Sequence, residues 1–143
     1  MPVIYVLNGP ELNLLGEREP AIYGDKTLAE VEELCRERAT SLGFDIDFRQ
    51  TDDESQMVEW ISEACKQSSG IVINPAIFTH HSLKVREALR NCAVGVVEVH
   101  ISNINAREPW RAHSMVSGVV RGSIIGLGVS GYPLAIEAIA GSG

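Results

Sequence analysis

Nothing in this sequence stays apolar long enough to cross a bilayer. About 20 consecutive apolar residues would be needed, and the apolar runs here are strand-sized, such as Val3-Ile-Tyr-Val-Leu7. Positive charge is scarce too: 12 Lys and Arg stand against 19 Asp and Glu, a net charge of -7. That argues against a nucleic-acid partner, which would require a basic patch, although a few arginines can still make one pocket locally positive. Cysteine is limited to Cys35, Cys65 and Cys92, an odd number in unlike contexts and without metal-ligand spacing. With no basic, apolar leader ahead of them, the three read as buried thiols in a reducing, cytoplasmic compartment. Glycine-rich loops are missing as well. The turn Asn8-Gly-Pro-Glu-Leu-Asn13 carries one glycine and a proline, which is not a dinucleotide fingerprint, and no P-loop occurs. A flavin-type phosphate loop rich in Ser and Thr is absent, and a phosphoryl-receiving domain would need acids where Asn8 and Asn74 stand. No metal is expected: His80 and His81 are adjacent, about 100° apart on a helix, while His100 and His113 are isolated. No cysteine lies at a strand end near a histidine, which removes a cysteine nucleophile.

What is present is an alternation. Five short apolar runs, Val3–Leu7, Phe44–Phe48, Ile71–Ile73, Val96–Val99 and Ser123–Ile125, are separated by segments with helical spacing. Thr27 and Glu30 form a capping box, followed by Leu28, Val31, Leu34, Cys35 and Leu42 on one face, with Gly43 as the stop. Met57, Trp60, Ile61 and Ala64 mark a second helix from Glu54 to Lys66, and Ser82–Asn91 and Tyr132–Ala140 mark two more. Near-continuous apolar strands indicate a parallel sheet covered on both faces, and the alternating run Phe44-Asp-Ile-Asp-Phe48 indicates an edge. The expectation is one domain, residues 1–143, with a doubly wound α/β architecture.

Each apolar run ends in hydrogen-bonding residues: Asn8, then Gln50-Thr-Asp-Asp53, then Asn74-Pro75, then Glu98-Val-His100 with Ile101-Ser-Asn103. Open α/β sheets bind ligands outside the carboxyl ends of their strands, so these residues outline a site. Two loops stand beside it. Gly16-Glu-Arg-Glu-Pro-Ala-Ile-Tyr-Gly24 has the bounds of a lid. In the other, Arg107 and Arg111 are spaced to share a helix face and grip a carboxylate.

The segments Leu7-Asn-Gly-Pro10, Leu12-Asn-Leu-Leu-Gly-Glu-Arg-Glu-Pro20, Ile22-Tyr-Gly24, Ile73-Asn-Pro-Ala76, Thr79-His80, Glu98-Val-His-Ile-Ser-Asn103 and Asn105-Ala-Arg-Glu108 together resemble type II 3-dehydroquinate dehydratase, in order and over nearly the whole chain. The resemblance implies a flavodoxin-like three-layer sandwich with a five-stranded parallel sheet. It also implies a cofactor-independent dehydration of 3-dehydroquinate, without a Schiff base, and a homo-oligomer, a dodecamer built from trimers. It carries site roles onto this chain. Tyr23 is the base that takes a proton beside the substrate ketone, with Arg18 and Arg107 as the cations that favour its phenolate. A free tyrosine ionises near pH ~10, so such a base needs roughly 4 kcal/mol of help at neutral pH. One charge at ~4 Å in an effective dielectric of ~20 supplies about that. His100 is the acid for the departing hydroxyl, held by Glu98 two residues away on the same strand face. Asn74 hydrogen-bonds the enolate oxygen, directly or through a water, Ile101 and Ser102 bind the carboxylate, and His80 and Arg111 contact polar groups of the substrate.

Four departures from the family pattern stand out. Glu11 stands for Asn beside the enolate, Asp52-Asp-Glu54 for Asn-His-Glu, and Phe78 for Tyr. Glu87 stands for the Asp that reaches a neighbouring subunit's site. They leave two readings: a divergent enzyme of aromatic biosynthesis or quinate breakdown, and a paralogue that binds a quinate-like ligand with weak or no turnover.

Overall fold

The computed structural model describes residues 1–17 and 19–141. Five strands, β1 (Val3–Asn8), β2 (Asp45–Gln50), β3 (Gly70–Asn74), β4 (Val96–His100) and β5 (Gly122–Ile125), form one all-parallel sheet in the order β2-β1-β3-β4-β5. This is the flavodoxin-like order, in which the direction of winding reverses between β1 and β3. Among the described residues no helix is long and apolar enough to cross a membrane.

Alternation along the buried strands feeds two cores, because successive side chains leave opposite faces. Ile4, Val6, Val72, Val97 and Val99 pack with helices α2 (Leu28–Ser41) and α6 (Gly131–Ala140). Tyr5, Leu7, Ile71, Ile73 and Val96 pack with α3 (Glu54–Gln67) and α5 (Leu83–Arg90), the latter preceded by the single-turn α4 (Phe78–His81). The Thr27–Glu30 capping box opens α2 as expected, and Asp53 and Ser82 cap α3 and α5 by accepting from Gln56 and Val85 backbone amides. β2 is indeed an edge strand. It starts one residue late and runs two further than the apolar pattern suggests, because Phe44 N–H still bonds the Ala39 carbonyl and so belongs to the end of α2.

The cysteine reading is overturned for two of the three residues. Cys65, near the end of α3, and Cys92, just past α5, form a disulfide with Cα atoms 5.3 Å apart. The two are brought together by helix packing across 27 residues of chain, which sequence spacing does not reveal. Their bond removes the cysteine argument for a reducing compartment. Cys35 remains a buried free thiol, which burial pushes up to about 12.

Two glycines set the sheet's carboxyl edge. A Cβ on Gly9 would lie 2.5 Å from the Pro75 carbonyl oxygen, so only glycine lets the loops after β1 and β3 approach this closely. A Cβ on Gly131 would sit 3.2–3.3 Å from Val99 and Ile124, so its absence lets the first turn of α6 press onto β4 and β5.

Candidate active site

A cavity of about 560 Å³ opens at the carboxyl edge of the sheet and brings together most of the residues expected there. Tyr23, Asn74 and His100 line it, as do Ile101, Ser102 and three cationic or imidazole side chains, His80, Arg107 and Arg111. Glu98 stands behind His100. Glu87 lies apart from this chain's cavity, on α5, paired with Arg90 at 3.6 Å. Arg18 lies outside the described residues.

The histidine side is built from the strand. His100 is 5% exposed and Glu98 fully buried, and His100 Nε2 meets Glu98 Oε2 at 2.5 Å. Burial alone would push the Glu98 carboxyl up. Hydrogen bonds from His100, Ser117 and Ser123 outweigh it and hold the group below its ordinary value. Ser117 and Ser123 hydroxyls donate to Oε1 at 2.6 and 2.7 Å, and Ser114 to Oε2 at 3.3 Å. Burying a carboxylate requires such a set of donors. The sequence reading missed all three serines, which lie 16–25 residues downstream and carry no signal of their own.

The tyrosine side is built from a loop. Tyr23 ends a four-residue helix, α1 (Pro20–Tyr23), opened by Pro20 and closed by Gly24, whose φ is 85° and whose N–H bonds the Pro20 carbonyl. Tyr23 is half-buried. Arg107 Nη1 donates to its hydroxyl at 2.6 Å and to Ser102 Oγ at 3.4 Å, with the guanidinium 5.5 Å from the ring centroid.

The expectation that Arg107 and Arg111 share a helix face is wrong. Arg107 is extended (φ -97°, ψ -157°) between two short 3-10 turns, Ile104–Ala106 and Pro109–Ala112. Pro109 drives Glu108 out of the α region (ψ 144°), so no helix runs through both. The arginines converge on the cavity instead. Arg111 pairs with Glu108 at 2.6 Å and stacks 4.3 Å over Trp110. The Trp110 ring meets His80 edge-on at 5.1 Å. His80 Nδ1 lies 2.9 Å from the His113 carbonyl, an acceptor only, so Nδ1 carries the proton and Nε2 is left as the acceptor. Burial pushes the His80 imidazole below its usual range, which keeps it in that neutral form.

Backbone strain gathers at the same place. Among the described residues the three non-glycine positions with positive φ are Glu11 (65°), Glu19 (43°) and Ala76 (53°), and all three line this cavity. Strained backbone of this kind concentrates at ligand sites. The departures at the second strand's end have structural work: Asp52 Oδ1 accepts from Glu11 N–H and from Gln50 Nε2, both at 2.9 Å, and Asp53 Oδ2 accepts from Gln56 N–H at 3.2 Å as the cap of α3. Phe78 is buried edge-on against His81.

One polar network was not anticipated. The buried Tyr132 hydroxyl, at the start of α6, joins Asn74 to Asn8.

Comparison with known proteins agrees with this fold. Residues 2–140 match the family described as Dehydroquinase class II. A 3-dehydroquinate dehydratase of Rhizobium meliloti (strain 1021) is 52% identical over 136 residues, 95% of this chain and 92% of that protein. The crystal structure of a type II dehydroquinase from Propionibacterium acnes superposes with a TM-score of 0.95 at 45% identity, covering 98% of this chain and 97% of that one. Another from Butyrivibrio crossotus DSM 2876 gives 0.94 at 38% identity, over 96% and 97%. A match over residues 2–140, at this identity and on this sheet order, leads to one conclusion: the chain belongs to the class II dehydroquinase family.

Proposed function

We propose that this protein is a 3-dehydroquinate dehydratase, removing water from 3-dehydroquinate to give 3-dehydroshikimate through an enolate, with no cofactor taking part. The observation that carries the reading is the pairing of two proton-transfer groups with two charged partners at one cavity: Tyr23 with Arg107 and His100 with Glu98.

In this scheme the Tyr23 oxygen takes the proton from the carbon beside the ketone. The Arg107 guanidinium already donates to that oxygen, and such a bond strengthens as the acceptor gains negative charge. The electron pair moves onto the ketone oxygen, where Asn74 donates a hydrogen bond to the enolate. Collapse of the enolate expels the hydroxyl, which leaves as water with a proton from His100. Glu98 holds the imidazole at Nε2 and balances its charge, leaving Nδ1 to serve the leaving group. Ile101, Ser102 and Arg111 bind the carboxylate end, and the neutral His80 accepts from a ring hydroxyl through Nε2. Arg18 belongs to the same scheme, as a second cation for the Tyr23 oxygen.

Assembly as a dodecamer built from trimers, with Glu87 reaching a neighbouring site, and a cytoplasmic location are parts of the same proposal. Exposed apolar side chains, Ile77, Leu83 and Trp110, support association. A second reading, a paralogue that binds a quinate-like ligand without turnover, draws on one observation: Glu11 and Asp52 both line the cavity, and a carboxylate there opposes an enolate.

Purified protein mixed with 3-dehydroquinate separates the two. Growth of the ultraviolet absorbance of a conjugated enone is expected. Binding without absorbance, beside an active control enzyme, selects the paralogue. Borohydride should leave the enzyme active, since no lysine lines the cavity among the described residues.

A further inference from the structure

The hydrogen bonds that converge on Tyr132 form a chain whose direction is set at both ends by backbone groups. At one end Asn8 Nδ2 donates to the Arg49 carbonyl at 3.0 Å. A carbonyl only accepts, so Asn8 must turn its NH₂ towards it and its Oδ1 towards Tyr132. The Tyr132 hydroxyl therefore donates, at 2.7 Å, which leaves it only lone pairs for Asn74. Asn74 Nδ2 accordingly donates to Tyr132 Oη, at 3.0 Å. At the other end Ala76 N–H, a donor only, donates to Asn74 Oδ1 at 3.2 Å. Each link demands the next.

The fold supplies the positions. Asn8 and Asn74 are register partners at the ends of β1 and β3, where the sheet's winding reverses. By alternation they share the face of Ile4, Val6 and Val72, the face covered by α6. Tyr132 is fully buried there.

We propose that Tyr132 is a positioning residue for Asn74: together with the Ala76 N–H, its hydroxyl fixes which way round the Asn74 amide sits, so that the group offered to the cavity is an N–H donor rather than a carbonyl oxygen. Oδ1 is taken by Ala76 and one Nδ2 hydrogen by Tyr132, so the second Nδ2 hydrogen is the one Asn74 has to offer a ligand oxygen. A flipped amide would turn a lone pair on a developing oxyanion, where a donor is needed. Burial pushes the Tyr132 phenol far up, so the hydroxyl keeps its proton and the chain its direction throughout the working pH range. This inference rests on the proposed dehydration, and it adds a residue that touches no substrate.

The test is Tyr132→Phe, which removes one oxygen and keeps the ring. The expected result is a kcat about ten-fold lower with KM within about two-fold. In an Asn74→Ala background the same change should have no further effect on kcat, because the residue it acts through is gone. A folded Tyr132→Phe protein with wild-type kcat overturns the inference, and so does an equal loss in the Asn74→Ala background. If Tyr132→Phe does not fold, Asn8→Ala, which removes the hydroxyl's acceptor, is held to the same two criteria. If the wild-type protein leaves 3-dehydroquinate unchanged, the functional reading fails separately. The chain is then decided by the Asn74 side-chain NH₂ resonances of ¹⁵N-labelled protein, identified by their loss in Asn74→Ala. Tyr132→Phe should move or broaden them, and unmoved signals overturn the inference.

Discussion

The two halves of the site are built from different material. His100 sits at the tip of a central strand, 5% exposed, on a carboxylate held by three serine hydroxyls besides the imidazole. Tyr23 sits on a four-residue helix in a loop, half-buried, and among the described residues its hydroxyl is held by the one guanidinium of Arg107. The strand half is fixed by the fold: if the sheet forms, β4 delivers Glu98 and His100 to the same face. The loop half depends on a contact between two loops 84 residues apart. An acid that must meet its leaving group in one geometry gains from the rigid half. The proposed base sits on the looser one, a loop of the kind that can close over substrate.

The contrast can be broken from the strand side first. His100→Gln should lower kcat by about 10³-fold, the usual weight of a positioned acid, with the melting temperature changed little because the amide can still reach Glu98. A loss confined to KM would remove His100 from proton transfer.

Glu98→Gln should follow, with kcat lower on the order of 10²-fold and a distinctive pH dependence of stability. The folded Glu98 carboxyl titrates below its ordinary value of 4.5. Its stabilising contribution is therefore complete above that value and is lost as the pH falls below it, towards the folded value. Thermal melts of the wild-type protein should show this acid loss, and Glu98→Gln should flatten it. Parallel curves for the two proteins would mean that Glu98 is not the ionised centre of its serine cage.

The smallest effect tests the loop side. Glu11 holds φ 65°, a conformation in which Asn is better tolerated than Glu. Glu11→Asn should raise the melting temperature by about 2 °C and raise the rate a few-fold by taking a carboxylate away from the enolate. A large loss of rate would reverse the role assigned to Glu11.

The same division governs how much could be read from sequence. Strand-end polarity pointed to Asn8, Asn74, Glu98 and His100, because the α/β rule ties strand ends to ligands, and the alternation in β2 marked an edge strand. Tyr23 has no such rule behind it, and the family motifs alone identified it. Spacing misled at Arg107 and Arg111, where Pro109 breaks the helix that their separation suggested. Contacts made only by packing left no trace in the sequence: the Cys65–Cys92 disulfide, the serines around Glu98, and the Tyr132 hydroxyl between two asparagines. The left-handed backbone at position 11 supplies a physical reason for the family's Asn there, which the sequence comparison stated without explaining.

The central claim is that a loop tyrosine is the base against a strand histidine. It is tested most directly by Tyr23→Phe, with binding of 3-dehydroquinate and its turnover measured on the same sample. Binding should survive while enone formation falls by about 10²-fold or more; turnover near the wild-type rate would remove Tyr23 as the base.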